Sequence, residues 1–197
     1  MLELVTHPAT RVPLKCRCRA QAQWSGSNRL ALRYELEGDL AALRLPAPAS
    51  QPARRDGLWQ STCFELFMRR PGQHGYLEAN FAPSGHWAAW TFRDYREGAT
   101  PIDMAPPRIE VPRRAAQGLL LQVELRFDAA LLGGLAPGEV DASRLPWQLG
   151  LSAVLETQDD SLSYWALAHP PARADFHDVA GHVLALATRR DDARSPA

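Results

Sequence analysis

Residues 14–24 alternate almost without a break. Leu14, Cys16, Cys18, Ala20, Ala22 and Trp24 fall on one side, and Lys15, Arg17, Arg19, Gln21 and Gln23 on the other. Only an extended chain puts every second side chain on one face, so this period predicts a half-buried strand and argues against an amphipathic helix. A Gly26-Ser27-Asn28 turn signal follows, and Leu30, Leu32, Tyr34 and Leu36 then alternate with mostly polar residues, which predicts an antiparallel hairpin. The same period returns in "GLLLQVELRF", where Leu119, Leu121, Val123, Leu125 and Phe127 point inward. Further strands are expected over 61–69, 76–82, 86–92, 147–156, 162–167 and 182–187, the first three joined as a meander by "PGQHG" and "PSG". A short helix is expected over 128–132 with Asp128 as its N-cap. "PAPASQPARRDG" and "GATPIDMAPP" read as loops. With many short strands, little helical periodicity and prolines gathered in loops, the predicted fold is all-β. It is an antiparallel β-sandwich with at most one or two short helices, a single domain over 1–190 and a disordered tail over 191–197.

A chain of 197 residues with 46% apolar residues can bury its own core. Its 22 basic and 22 acidic residues balance, and the basic ones form no stripe, which excludes an electrostatic nucleic-acid or anionic-membrane surface and favours a specific polar or aromatic site. The start "MLELVTHPATRVPLKCRCRA" lacks a basic stretch followed by an apolar run, and no stretch reaches membrane-spanning length, so a soluble, cytoplasmic protein is expected. The three cysteines, Cys16, Cys18 and Cys63, are expected as reduced thiols. Cys16 and Cys18 share a strand face but have no second ligand pair nearby, so they read as buried thiols rather than a metal site.

Alternation also sorts the middle strands. Over 61–69, Cys63, Glu65 and Phe67 share one face, and Thr62, Phe64, Leu66 and Met68 the other. Over 76–82, Tyr76, Glu78 and Asn80 lie opposite Leu77, Ala79 and Phe81. If the two strands are neighbours, Glu65, Glu78 and Asn80 converge on one surface. Carboxylates, a carboxamide and flat rings suit a sugar, accepting from its hydroxyls and covering its C–H faces. The competing reading is a solvated sheet face. Trp59, Trp87, Trp90, Tyr95 and Trp165 are the aromatic candidates, and Trp87 and Trp90 point to opposite faces of their strand. The segment "SYWALAHPPARADFHD" gathers Tyr164, Trp165, His169, Asp175, Phe176, His177 and Asp178. Their spacing fits no compact zinc motif, and Pro170 and Pro171 imply a loop locked by hydrogen bonds. Phosphate-loop, nucleophile-elbow and His-Glu-x-x-His motifs are absent from the sequence.

The run "DGLWQSTCFELFMRRPGQHGYLEANFAPSGHWAAWTFRDYREG", followed later by "SYWALAHPPARADFH", resembles the DOMON-like domains related to family-nine carbohydrate-binding modules. The shared pattern is the Trp of "GLW", a polar-Cys-aromatic-Glu strand, and Tyr-x-Glu-x-Asn before a Pro-x-Gly turn. The resemblance implies a jelly-roll β-sandwich that binds a sugar or sugar-like ligand without catalysing a reaction. It points to Trp59, Glu65, Glu78, Asn80 and Trp87 as ligand-binding residues. Tyr164, Trp165, His169, Asp175 and His177 are expected as a supporting loop. It also implies a haem-binding alternative, with Met68 and His169 as the candidate axial ligands. Two alternatives come from the residues themselves: a glycosidase using Glu65 and Glu78 as its carboxyl pair, against which the resemblance leans, and a protein-interaction domain built on the same polar patch. The oligomeric state does not follow from any of these residues.

Overall fold

The computed structural model describes residues 1–10, 15–115, 117–128, 131, 135, 136 and 141–188. Its strands are β1 (Leu2–Thr6), β2 (Cys16–Gly26), β3 (Arg29–Gly38), β4 (Cys63–Arg69), β5 (Tyr76–Phe81) and β6 (Trp87–Phe92), then β7 (Thr100–Pro101), β8 (Arg108–Ala115), β9 (Gly118–Arg126), β10 (Trp147–Glu156), β11 (Leu162–Ala166) and β12 (Leu184–Leu186). The strands expected from alternation all form. The short helix expected over 128–132 and the tail fall largely outside the described residues, although the Asp128 carboxylate does accept the Leu131 N–H at 3.1 Å.

All strand pairs are antiparallel, in the order β7-β6-β5-β4-β10-β11-β1-β2-β3-β9-β8, with β12 added to β10. The sheet curls into two layers because β1 changes partner along its length. Leu2, Glu3 and Leu4 pair with β2, while Val5 and Thr6 pair with β11. The Pro-containing strand β8 had no clear signature in the sequence. It is tolerated because it lies at the end of the strand order, and its register shifts between Glu110 and Arg113, around the residue that lacks an N–H.

The core lies between the layers. Leu30, Leu32, Tyr34 and Leu36 of β3 and the inward residues of β9 meet Phe64, Leu66 and Met68 of β4, Leu77 and Phe81 of β5, and Leu149, Leu151 and Ala153 of β10. Burying each large side chain contributes about 1.5–3 kcal/mol. The rings of Tyr34 and Phe64 lie 5.1 Å apart, and the Tyr34 hydroxyl donates to the Glu65 carbonyl at 2.7 Å, so a buried polar group becomes a tie between layers. Cys18 and Cys63 are buried free thiols, and Cys16 is half-buried.

The opposite face of the β4-β5-β6-β10-β11 layer is covered by the segment running from His169 to His182. Phe67 of β4 stacks on His182, with centroids 5.6 Å apart, and meets the rings of Phe176 and His177. The approach is close enough that a Cβ on Gly150 of β10 would fall 2.7 Å from His182 Cδ2 and 3.3 Å from the Gly181 carbonyl. Gly150 therefore lets this segment lie against the sheet.

Candidate functional site

Between that covering segment and the sheet lies a cleft of about 570 Å³. Strand register assembles its floor. Glu65 pairs with Asn80 across β4-β5, Phe67 with Glu78, Glu78 with Trp90 across β5-β6, and Ser152 of β10 with Glu65. The alternation of β4 and β5 thus places the Glu65 and Glu78 carboxylates on one face, as diagonal neighbours. They are 2% and 6% exposed, which rules out the solvated-face reading.

The walls are aromatic. Trp90, Phe92, Tyr164 and Phe176 line the cleft with Phe67, and Trp59 stands at its edge. Gly57, at φ +81°, opens the 3-10 turn Leu58–Gln60 that carries Trp59 outward. Trp59 is 43% exposed and meets Trp90 edge-on, with centroids 5.8 Å apart and ring planes at 75°. Arg54 lies over the Trp90 ring at 5.3 Å.

The carboxylates receive few donors. The Cys63 thiol donates to Glu65 Oε1 at 3.5 Å and the Ser152 hydroxyl to Oε2 at 3.4 Å. Asn80 Nδ2 donates to Glu78 Oε1 at 2.9 Å, while Asn80 Oδ1 is buried and accepts no hydrogen bond. Burial, and then the nearby charge of Glu78, push the Glu65 carboxyl above the ordinary range, against the pull of the Cys63 and Ser152 bonds and of Arg96. Burial likewise raises Glu78, opposed by its Asn80 bond and by Arg96.

His177 closes one side. The Arg96 N–H donates to the Tyr76 hydroxyl at 3.1 Å, and that hydroxyl lies 2.8 Å from His177 Nδ1. The Tyr76 hydroxyl, with one proton and a second lone pair, pairs with Nδ1 in either tautomer of the ring, while Nε2 lies 3.6 Å from Glu78 Oε2. Burial, reinforced by the Arg96 charge, lowers His177 to about 4, so its ring is neutral at neutral pH.

Arg96 is held away from the carboxylate pair. It adopts φ +54°, unusual for a residue with a Cβ, and its guanidinium donates to Asp175 Oδ1 at 2.8 Å. The Tyr95 hydroxyl donates to Asp175 Oδ2 at 2.6 Å, and the His177 N–H donates to Oδ1 at 3.1 Å. Burial raises the Asp175 carboxyl, but the Arg96 and Tyr95 bonds and the Arg96 charge outweigh it and hold the group below the usual range. Asp175 thereby clasps the 95–96 loop to the covering segment.

Of the residues expected at a site, Glu65, Glu78, Trp59, Tyr164, Asp175 and His177 border the cleft, and Asn80 supports Glu78 from the same strand face. Trp87 does not: it pairs with Phe81 and packs into the core, because it sits at odd spacing from Trp90, which takes the cleft position instead. Trp165 also faces the core, its indole N–H donating to the Ser163 hydroxyl at 3.0 Å. His169 lies outside the cleft, with Nε2 2.9 Å from the Val5 carbonyl, and Met68 is buried between the layers, so the pair expected as haem ligands does not meet in the cleft. Among the described residues no group of three His, Cys, Asp or Glu side chains is placed to hold a metal ion. Phe176, gathered with Asp175 and His177 in the sequence, also lines the cleft, while sequence reasoning missed Arg96 and Ser152. Ser152 left a trace as a polar residue within the apolar run "GLSAVLE".

These features define an antiparallel β-sandwich that carries a cleft on the outer face of one layer. Solved structures share that fold. A proposed carbohydrate-binding protein from Bacteroides uniformis superposes with a TM-score of 0.69 at 14% identity, over 94% of this chain and 85% of the other. A family-nine carbohydrate-binding module from Caldicellulosiruptor kristjanssonii bound to cellotriose gives 0.57 at 11% identity, over 100% and 88%. The module from that organism bound to glucose gives 0.53 at 10%, over 98% and 88%. No family model and no curated protein matches the sequence.

Proposed function

We propose that this protein is a non-catalytic carbohydrate-binding module whose ligand enters the cleft between Trp59 and the β4-β5-β6 floor. The observation that carries this reading is the buried pair Glu65 and Glu78 at the bottom of an aromatic-walled cleft. At about 570 Å³ the cleft falls within the roughly 300–1,000 Å³ usual for small-ligand sites. Sugar hydroxyls would donate to the two carboxylates, whose few present donors leave acceptor capacity unused. The Trp59 and Trp90 faces would cover the C–H surface of the ring. The sugar-binding modules among the similar folds support the class of ligand. The DOMON-like pattern of Trp59, Glu65, Glu78 and Asn80 belongs to the same reading, since these residues gather at one place.

The glycosidase alternative is less favoured by the geometry. Both carboxylates rise from one sheet face, whereas glycosidic cleavage uses two carboxyls that flank the bond. Titration calorimetry with glucose, galactose, cellobiose and cellotriose tests the proposal. Saturable heat that disappears in Glu78→Ala is the expected result. Absence of saturable heat with these sugars and with their 2-amino analogues, from protein whose folding is verified by circular dichroism, rejects it.

A further inference from the structure

The charged groups bordering the cleft do not balance locally. They are Asp56, Glu65, Glu78, Arg96, Asp175 and the neutral His177. Asp56 has its own cation, with Arg54 Nη1 at 2.9 Å, and Asp175 has Arg96 at 2.8 Å and Arg173 at 3.3 Å. Glu65 and Glu78 have no Lys or Arg within ion-pairing distance among the described residues, and the nearest basic ring, His177, lies 3.6 Å from Glu78. The two buried carboxylates thus face the cleft with weak neutral donors on one side and aromatic rings on the other. Removed from water, such a pair is costly to charge without a compensating cation. Aromatic faces favour the same visitor, because the ring quadrupole attracts positive charge.

We propose that the preferred ligand of this cleft is an amino sugar, its ammonium group seated against Glu65 and Glu78 and its pyranose ring against Trp59 and Trp90. This rests on the carbohydrate-binding reading above and adds the ligand's charge to it. An ammonium brings three N–H donors, and the unused acceptor positions lie on two neighbouring carboxylates. Arg96 does not compete for that place while its guanidinium is bound to Asp175.

The test is titration calorimetry near about pH 7 with two matched sets, glucose against glucosamine and galactose against galactosamine, with N-acetylglucosamine as the uncharged analogue. At least one amine is expected to bind about tenfold or more tightly than its parent sugar, the scale of one added charge-assisted hydrogen bond. That advantage should vanish on acetylation and shrink as NaCl is raised. In Glu78→Gln the amine-to-parent affinity ratio should fall toward one, whatever affinity that variant retains. The wild-type comparison alone decides the matter if the variant fails to fold. Amines that bind no tighter than saturating parent sugars overturn the inference and leave the module reading intact. No binding by any of these sugars, amines included, overturns both.

Discussion

Replacing Glu65 by Gln tests the physics of the site without any ligand. The neutral amide keeps the shape of the side chain and removes one of two buried, neighbouring charges. In the wild type both carboxyls are raised in the folded state by burial, Glu65 also by Glu78. From the ordinary value of 4.5 toward neutral pH, the folded protein therefore holds protons that the unfolded chain has released, and stability falls as pH rises. The histidines slope the other way. Burial lowers His177 and His182 to about 4 from 6.5, and stability that they permit at neutral pH is lost as pH falls through that window. Above about pH 6.5 the carboxyl slope is left unopposed by them. If the pair retains one proton over the next 1.5 pH units, the loss is about 2 kcal/mol, or about 4–8 °C in Tm for a domain of this size. Glu65 is 2% exposed, so solvent screening removes little of this. In Glu65→Gln the remaining Glu78 has lost its charged neighbour, and the decline should shrink to less than half. At about pH 8 the variant recovers more than about 1 kcal/mol of that loss and, after about 1 kcal/mol is subtracted for rearranged bonds to Cys63 and Ser152, should melt above wild type by up to about 4 °C. Differential scanning calorimetry from about pH 6.5 to 8 measures this. A wild-type Tm that is flat or rising over that range, or a variant with the wild-type slope, refutes the reasoning.

Three further substitutions probe other parts of the structure. Trp59→Ala removes an exposed ring at the cleft edge and should weaken sugar binding about tenfold or more by calorimetry while moving Tm by no more than about 2 °C. Gly150→Ala forces a Cβ to within 2.7 Å of His182 Cδ2, and a loss of about 1–3 kcal/mol in urea unfolding is expected from overpacking; unchanged stability would show that the covering segment is looser than its contacts imply. Tyr34→Phe deletes the 2.7 Å bond to the Glu65 carbonyl and should cost about 1–2 kcal/mol by the same assay, with Trp fluorescence of the cleft unaltered.

The strands and the polar face of β4 and β5 were legible because alternation is a local signal. It put Glu65 with Cys63 and Phe67, and Glu78 with Asn80, before any pairing was known. The contribution of β6 was not legible in the same way. Trp87 and Trp90 were known to face opposite ways, but which ring met Glu78 depended on register across the "PSG" turn, where one residue reverses every side chain. Strand β1 was invisible because it is short and mostly exposed, and its role depends on two separate partners. The covering segment displayed its residue types, His169, Asp175 and His177, but not which of them would turn inward. Contacts such as Phe67 on His182 join residues far apart in sequence, and no local period records them.

Arg96 is the residue that sequence reasoning could least have found, and the charge state of the cleft turns on it. In the loop after β6 its left-handed backbone directs the guanidinium to Asp175, 79 residues away in sequence. While that bond holds, Glu65 and Glu78 have no Lys or Arg bonded to them among the described residues. Asp175→Asn keeps one acceptor oxygen, which serves the His177 N–H on the Oδ1 side and leaves the Tyr95 hydroxyl facing an NH2, and it removes the charge that fixes Arg96. Loss of a charge-assisted bond should lower stability by about 1.5–3 kcal/mol. The freed guanidinium, already bordering the cleft, would then have the two carboxylates as its nearest uncompensated partners. The variant should therefore lose its preference for an amine over the parent sugar even at temperatures well below its melting point, and its carboxyls should titrate closer to the ordinary range in 13C NMR. A variant that melts lower but keeps the wild-type preference would show that the clasp serves the fold alone. One that loses the preference with its fold intact would tie the electrostatics of the cleft to Asp175 and Arg96.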